Sequence, residues 1–451
     1  MLRSSGSPLP VEPTPIAADA ASAADPVTDL ATLLRPEPAR VVLRPFVPAE
    51  NGGMGPPGSR VERILERVLG LSDAALRSDL ARVVTSLTDR HRDVERVLQR
   101  RYHDLAEPFA GSRAVSAEQK LLIGAYFVEE YSFEAAALFN PSIVAHPDQS
   151  GVAPDAVRFV LSLRGVGEGH ISSMIFRTGE FSAEGRLLVN PPSPWATSPT
   201  IEYIPGGAPD DPGVRLFYGA RDDLSHIVIF PVTFHQRHGV EDLRLVRFTE
   251  DDGHVSYFGT YTAFGGETVR QELLRTDDFV TFELNALRGA LSGTKGMALF
   301  PRRIDGCYAM LGRQDHENIW LLQSNDLYNW DSGAIIVSPR WSWEFIQMGN
   351  CGSPIEIDEG WLVITHGVGP IRNYCLGACL LDKRDPARVI ARSTEPLLRP
   401  SSDTRDGYVP NVVYSCGAMV IGRTLLLPYG VADSFTAFAS VPLDKLLATM
   451  S

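Results

Sequence analysis

The spacing of apolar positions divides the chain into three parts. Val61, Ile64, Leu65, Val68 and Leu69 recur at three- and four-residue steps, the signature of one helix face. Ser72 is placed to cap a second helix carrying Leu76, Leu80, Val83, Val84 and Leu87. Val94, Val97 and Leu98 mark a third, and Ser116 with Gln119 makes a capping box ahead of Leu121, Leu122, Tyr126 and Phe127. The pattern predicts an all-helical region over residues 58–137, packed on one side only, against the rest of the chain or a partner subunit. Residues 1–57 are rich in Pro, Ala, Gly and Ser. Their first thirty or so read as disordered, with Leu43–Val47 as a short extended piece.

After Phe139 the helical signal stops. Short apolar strands now alternate with Gly, Asp and Asn turns, and one unit recurs: a polar turn with Gly, then an alternating strand. It runs from Asp252-Gly253 to Tyr261, from Asp305-Gly306 to Arg313, from Glu359-Gly360 to Gly367 and from Ile421-Gly422 to Gly430. The spacing is slightly longer than the about 40–50 residues of common propeller repeats. A weaker copy occupies Ala156–Arg164, and Gly213–Ala220 reads as an extra hairpin. Strands without interposed helices predict a mainly β fold. The expected architecture is a five-bladed β-propeller over 138–451 with an N-terminal all-helical extension. The count also admits a sixth blade, and a pair of β-sandwiches is the competing arrangement. Strands ending in Arg313, His366 and Asp433 would deliver polar groups to one mouth of a central channel.

Composition narrows the function classes. The 451 residues are 44% hydrophobic and 22% charged, as in soluble globular proteins. A net charge of −13 argues against non-specific nucleic-acid binding, so an anionic substrate would need a local basic cluster. Met1–Ala24 has no continuous apolar core, and no stretch approaches the about 20 apolar residues of a membrane span. The five cysteines are odd in number, and Cys375 and Cys379 have no matching second pair. Buried free thiols in a reducing cytoplasm are expected, with no metal site.

The most informative segment is Gly239-Val240-Glu241-Asp242-Leu243-Arg244. Alternate side chains of a strand share a face, so Asp242 and Arg244 are expected to point together and Glu241 the other way. An acid beside a fixed positive charge suits a sugar-cleaving site whose attacking group is an anion. Taken alone, these residue types more often form a solvated surface ion pair.

Six further segments change that balance: Phe139-Asn140-Pro141-Ser142; Arg164 with Gly169-His170-Ile171-Ser172; Lys295-Gly296-Met297-Ala298-Leu299-Phe300-Pro301; Gly312-Arg313; Gly360-Trp361-Leu362 through His366-Gly367-Val368; and Tyr429-Gly430-Val431-Ala432-Asp433. With Gly239–Arg244, their order and spacing resemble glycoside hydrolase family 130, the β-mannoside phosphorylases and some related β-mannosidases. The resemblance covers residues from about 137 to 448. The helical region lies outside it, as in a longer branch of the family.

The resemblance implies a five-bladed propeller with its site in the central channel. It also implies an inverting reaction, in which phosphate attacks the anomeric carbon of a terminal β-linked mannose and releases α-mannose 1-phosphate. An inverting hydrolase needs an acid and a base. Phosphate is already an anionic nucleophile, so basic side chains that hold it take the place of the base. Asp242 matches the family's general acid, whose proton is thought to pass through a sugar hydroxyl. Arg244, Lys295, Arg313 and His366 match the phosphate side. Asn140, Arg164 and Asp433 match positions lining the mannose pocket, and Glu241 is read as a sugar or structural contact.

Two departures stand out. Leu243 replaces a Pro, and Thr365 replaces a Tyr whose hydroxyl, if it holds phosphate, Thr would reach less far. The expected partners are a β-mannoside oligosaccharide and inorganic phosphate as co-substrate, with no cofactor, nucleic acid or membrane; a homo-oligomer is left open. A β-mannosidase using water would need a base, for which Glu168, Glu317 and Glu356 are candidates. A non-catalytic carbohydrate-binding propeller is the third alternative. Trp341, Trp343 and Trp361 are candidates for sugar stacking or for the core.

Overall fold

Turn glycines at 253, 306 and 422 take positive φ angles of 85°, 79° and 56°, a region that side chains with a Cβ avoid. Each sends the chain back into a strand of the recurring unit. The computed structural model describes residues 26–49, 58–208, 211–219, 223–401 and 407–451, and within these the chain is mainly β. Most of the 1–30 stretch expected to be disordered lies outside the described residues. Its end does not: Thr28–Leu34 is a strand. Its Leu30 and Leu34 pack on a core, so the expectation of disorder fails for those residues.

The strands form five successive antiparallel meanders. The first is Ala137–Ala145, Ala156–Val166, Ser172–Ser182 and Leu187–Val189. The second is Gly239–Thr249, Val255–Phe264, Val269–Thr276 and Thr281–Ala286, widened at its edge by the hairpin Thr200–Ala208 and Asp211–Phe217. The third is Ala298–Leu299, Tyr308–Gly312, Ile319–Ser324 and Gly333–Val337. The fourth runs from Gln347–Asn350 through Gly360–Gly369 and Asn373–Leu381 to Val389–Arg392. The fifth has Val413–Tyr414, Thr424–Val431 and Phe435–Pro442, and its outer strand is Thr28–Leu34 from the other end of the chain.

Alternating apolar residues give each meander two buried faces, and the cores follow from that. Val160 and Phe176 of the first meander share a core with Val240 and Leu245 of the second. Phe248 and Phe258 of the second pack with Leu299 and Met310 of the third. Leu311 and Ile319 of the third pack with Trp361 and Val363 of the fourth. Leu362 and Leu376 of the fourth pack with Leu425 and Ala437 of the fifth. Leu426 and Phe438 of the fifth then pack with Leu138 and Phe159 of the first.

Helices at Arg60–Leu69, Asp73–Thr88 and Ala117–Ala125 share a core built on Leu65, Leu76 and Leu122, joined by Phe127 and by Tyr102, which follows the helix Val94–Arg101. Ser72 accepts from the Ala75 amide, and both bonds of the Ser116–Gln119 capping box form. The helical expectation to residue 137 overran. Val128–Ser132 is a strand paired with Val41–Pro45, and Tyr131 is wholly buried. Beta pairing overrides the helical spacing there. A buried ion cluster ties this linker to the first meander. Arg40 Nη1 donates to Glu134 Oε1 at 2.5 Å and Arg177 Nη2 to Glu134 Oε2 at 2.9 Å. The exposures of Arg40, Arg177 and Glu134 are 2%, 3% and 0%.

Candidate active site

The first two strands of the meanders, with the turns beside them, bring the chemistry together. In the second meander the pairing runs Glu241↔Thr262 and then Arg244↔Thr260, which leaves one extra residue in the Gly239–Thr249 strand. Asp242 sits in this bulge with φ 58°. The first meander repeats the device: its pairing jumps from Phe139↔Arg164 to Ser142↔Ser162, and Asn140 has φ 48°. Asn and Asp tolerate the left-handed region better than other side chains, which explains their use at both bulges. The Asn140 side-chain amide donates to Asp242 Oδ1 at 2.7 Å.

The bulge overturns one expectation. Glu241 does not face away from Asp242, because the extra residue breaks the alternation on which that reading rested. Both carboxylates meet Arg164, which donates to Glu241 Oε1 at 2.8 Å and to Asp242 Oδ1 at 3.3 Å. Lys295 reaches Glu241 Oε2 at 2.9 Å. Asp433, in the turn after Thr424–Val431 with φ 50°, completes this side. Asn140, Arg164, Glu241, Asp242, Lys295 and Asp433 are thus one cluster.

Arg244, Arg313 and His366 form a second cluster. Arg244 is 3% exposed. Its Nε donates to the Cys351 carbonyl at 2.9 Å and its Nη2 to the Tyr414 hydroxyl at 2.7 Å. Arg313 Nη1 lies 3.5 Å from His366 Nε2. A Cβ on Gly296 would stand 2.9 Å from Arg313 Nε and 3.3 Å from Arg244 Nη1, and one on Gly349 would strike the His366 ring at 2.6 Å. Two glycines therefore keep the space between the guanidiniums and the imidazole open. Arg313 Nε is buried there without a hydrogen-bond partner.

The electrostatics separate the groups. Burial alone would raise the Asp242 pKa. The charges of Arg164 and Arg244, the Asn140 hydrogen bond and Lys295 outweigh it and hold the carboxyl below its ordinary value. Asp433 moves the other way: burial and the neighbouring Asp242 charge, opposed by Arg164, push it up to about 6. Burial, with Arg313 and Arg244 alongside, keeps His366 well below the usual histidine range and hence neutral. Burial raises Tyr414 well above a free phenol, against the opposing Arg244 charge.

Other expectations resolve on position. Trp361 is fully buried, and Trp343 packs under Gly367 and Gly377, so both belong to the core. Glu168 and Glu317 are exposed, and Glu356 is paired with Arg302 and Lys383. Cys351, Cys375, Cys379 and Cys416 are buried free thiols, while Cys307 is only partly buried. Among the described residues, no His, Cys, Asp and Glu group is arranged to hold a metal ion, and no helix is long and apolar enough to cross a membrane. Tyr414 went unnoticed in the sequence. It occupies the first strand of its meander, as Asn140 and Asp242 do in theirs, a correspondence that only the strand pairing reveals.

The sequence profile of glycoside hydrolase family 130, described as beta-1,4-mannooligosaccharide phosphorylase, matches residues 220–451. The chain belongs to glycoside hydrolase family 130. One family relative, a 1,2-beta-oligomannan phosphorylase of Thermoanaerobacter sp., is 37% identical over 51% of this chain and 80% of its own length. A beta-1,2-mannobiose phosphorylase of Listeria innocua is 32% identical over 49% of this chain and 62% of its own. A crystal structure of a Parabacteroides distasonis protein described as a glycoside hydrolase covers 69% of this chain and 89% of its own, with TM-score 0.50 and 18% identity. At that identity the likeness shows a shared fold. The family profile takes in Glu241 to Arg244, Lys295, Arg313, His366 and Asp433, whereas Asn140, Arg164 and the helices precede it.

Proposed function

We propose that this family 130 chain catalyses inverting phosphorolysis of a terminal β-linked mannoside, releasing α-mannose 1-phosphate and the shortened sugar. The observation that carries the reading is the pairing of Asp242 with an adjacent anion pocket of Arg244, Arg313 and His366, kept open by Gly296 and Gly349. The relatives named as β-mannoside phosphorylases point the same way. Asn140, Arg164, Glu241 and Asp433 take the mannose, and Lys295 stands between sugar and phosphate through its bond to Glu241. A phosphate oxygen attacks the anomeric carbon and the bond to the glycosidic oxygen breaks. That oxygen takes up a proton originating on Asp242, relayed by a sugar hydroxyl.

A five-bladed propeller is the architecture this reading uses. It is supported by five meanders whose cores run from each to the next and from the fifth back to the first. The first strands and the segments flanking them are also cross-linked: Ser142 Oγ accepts from Leu245 N, Cys416 N donates to the Pro141 carbonyl and Asn350 Nδ2 to the Gly296 carbonyl. In this reading 138–451 is the catalytic domain, and the helices from Arg60–Leu69 to Ala117–Ala125 are an extension of it. Buried free thiols fit a cytoplasmic enzyme.

The direct test is incubation with β-1,2- and β-1,4-mannobiose, with and without inorganic phosphate. Mannose 1-phosphate formed only with phosphate is the expected result. Free mannose at equal rates in both conditions would instead establish hydrolysis and overturn the proposal.

The depressed Asp242 pKa gives a further expected outcome. In the free protein Asp242 is ionised at neutral pH, because cations surround it. Bound phosphate neutralises the Arg244 charge and, with sugar, excludes water, and both effects raise the carboxyl. A proton donor loses activity as pH rises through its pKa. The basic limb of kcat/KM, which reports the free protein, should therefore fall at lower pH than the basic limb of kcat. Coincident limbs in steady-state pH profiles would refute this coupling.

A further inference from the structure

The residue that replaces the family's Tyr points away from the anion pocket. Thr365 pairs with Gly377 across the strands Gly360–Gly369 and Asn373–Leu381. A Cβ on Gly377 would lie 3.2 Å from Thr365 Oγ1 and 2.6 Å from the Trp343 ring. Thr365 therefore faces Trp343, while its neighbour His366 faces Arg313. The Thr365 hydroxyl itself is turned toward Gly377 and Trp343 rather than toward Arg313.

Another hydroxyl stands at the pocket. Tyr414 lies on Val413–Tyr414, the first strand of the fifth meander. Its ring is 5.0 Å from that of His366. A guanidinium has donors only, so in the 2.7 Å contact Arg244 Nη2 donates and the phenol oxygen accepts. The phenol's own hydrogen is then free for another acceptor, and His366 and Arg313 are among the groups beside this tyrosine. Arg244 is clamped from its other edge by the Cys351 carbonyl, so the geometry is fixed before any ligand arrives. Arg313 Nε is a second buried donor without a protein acceptor in the same space. The Tyr414 hydroxyl and the guanidiniums of Arg244 and Arg313, around a gap kept by Gly296 and Gly349, match a tetrahedral oxyanion.

We propose that the Tyr414 hydroxyl donates a hydrogen bond to the phosphate co-substrate. It supplies from the fifth meander the hydroxyl that position 365 does not. Burial keeps this phenol protonated, so it remains a donor throughout the working pH range. The proposal rests on the phosphorolysis reading above.

The test is steady-state kinetics of Tyr414→Phe against wild type, with β-1,2-mannobiose and phosphate varied separately. A hydrogen bond to a charged group is expected to raise the phosphate KM about ten- to hundredfold on removal. The mannobiose KM should stay near wild type. A brace for Arg244 would also be lost in this variant, so 3-fluorotyrosine at position 414 separates the roles. The fluorinated phenol is a stronger donor and a weaker acceptor. Tighter phosphate binding supports donation to phosphate, and weaker binding shows that Tyr414 only braces Arg244 and overturns the proposal. An unchanged phosphate KM in Tyr414→Phe overturns it as well. Phosphate-independent turnover by the wild type would defeat the phosphorolysis reading itself, an outcome visible before any variant is compared.

Discussion

Asp242→Asn is expected to lower kcat for phosphorolysis by about 10²–10⁴-fold, the usual contribution of a positioned proton donor. The substitution isolates the proton. Asn accepts the left-handed backbone at φ 58° as readily as Asp, and its carbonyl can still receive the 2.7 Å bond from Asn140. The bulge and the Arg164 contact geometry should survive, and the melting temperature should change little. A mannoside with an acidic aryl leaving group needs no protonation to depart, so its phosphorolysis should be largely spared. Kinetics on the natural and the aryl substrate check this directly. If Asp242→Asn keeps more than a tenth of the wild-type rate, or loses both substrates equally, Asp242 is not the proton source. A carbohydrate-binding protein without catalysis would lose nothing.

The second large effect concerns stability. Glu134→Ala is expected to destabilise the protein by about 3–5 kcal/mol, because it strands two buried guanidiniums without a counter-charge. Arg40 reaches Glu134 at 2.5 Å while also donating to the carbonyls of Ser193 and Ser225, and Arg177 holds both carboxylate oxygens. None of these side chains can turn to water without opening the core. The exposed pair Arg302–Glu356 provides the comparison: Glu356→Ala should cost no more than about 1 kcal/mol. Denaturant titration of both variants measures the difference. Equal losses would mean that water reaches Glu134 and that the cluster does not fasten the linker to the first meander.

How much of this could be read from the sequence depended on the range of the cause. Caps at Ser72 and Ser116 and turn glycines at 253, 306 and 422 act through neighbours within a few residues, and they were legible. The strand Val128–Ser132 was not, because its reason is a partner at Val41–Pro45, far away in the chain. The site divides in the same way. Motif order points to Asp242, Arg244, Arg313 and His366, but it does not carry the facing of Glu241, since a one-residue bulge leaves no mark in an apolar–polar pattern. Tyr414 was invisible for another reason. Its role comes from Arg244, 170 residues away, and a lone tyrosine on a two-residue strand carries no local signal.

The strand Thr28–Leu34 has a consequence for how the molecule is made. It pairs with Phe435–Pro442, and the Tyr429 hydroxyl donates to Asp29 across a separation of 400 residues. Entropy of loop closure grows only logarithmically, so so long a span adds little to the equilibrium cost. Timing is different. During synthesis Thr28–Leu34 must wait, unpaired, until Phe435–Pro442 has been made some 400 residues later. The same pairing that seals the finished protein leaves its nascent form with an open β-edge, the kind of surface on which chains recruit one another.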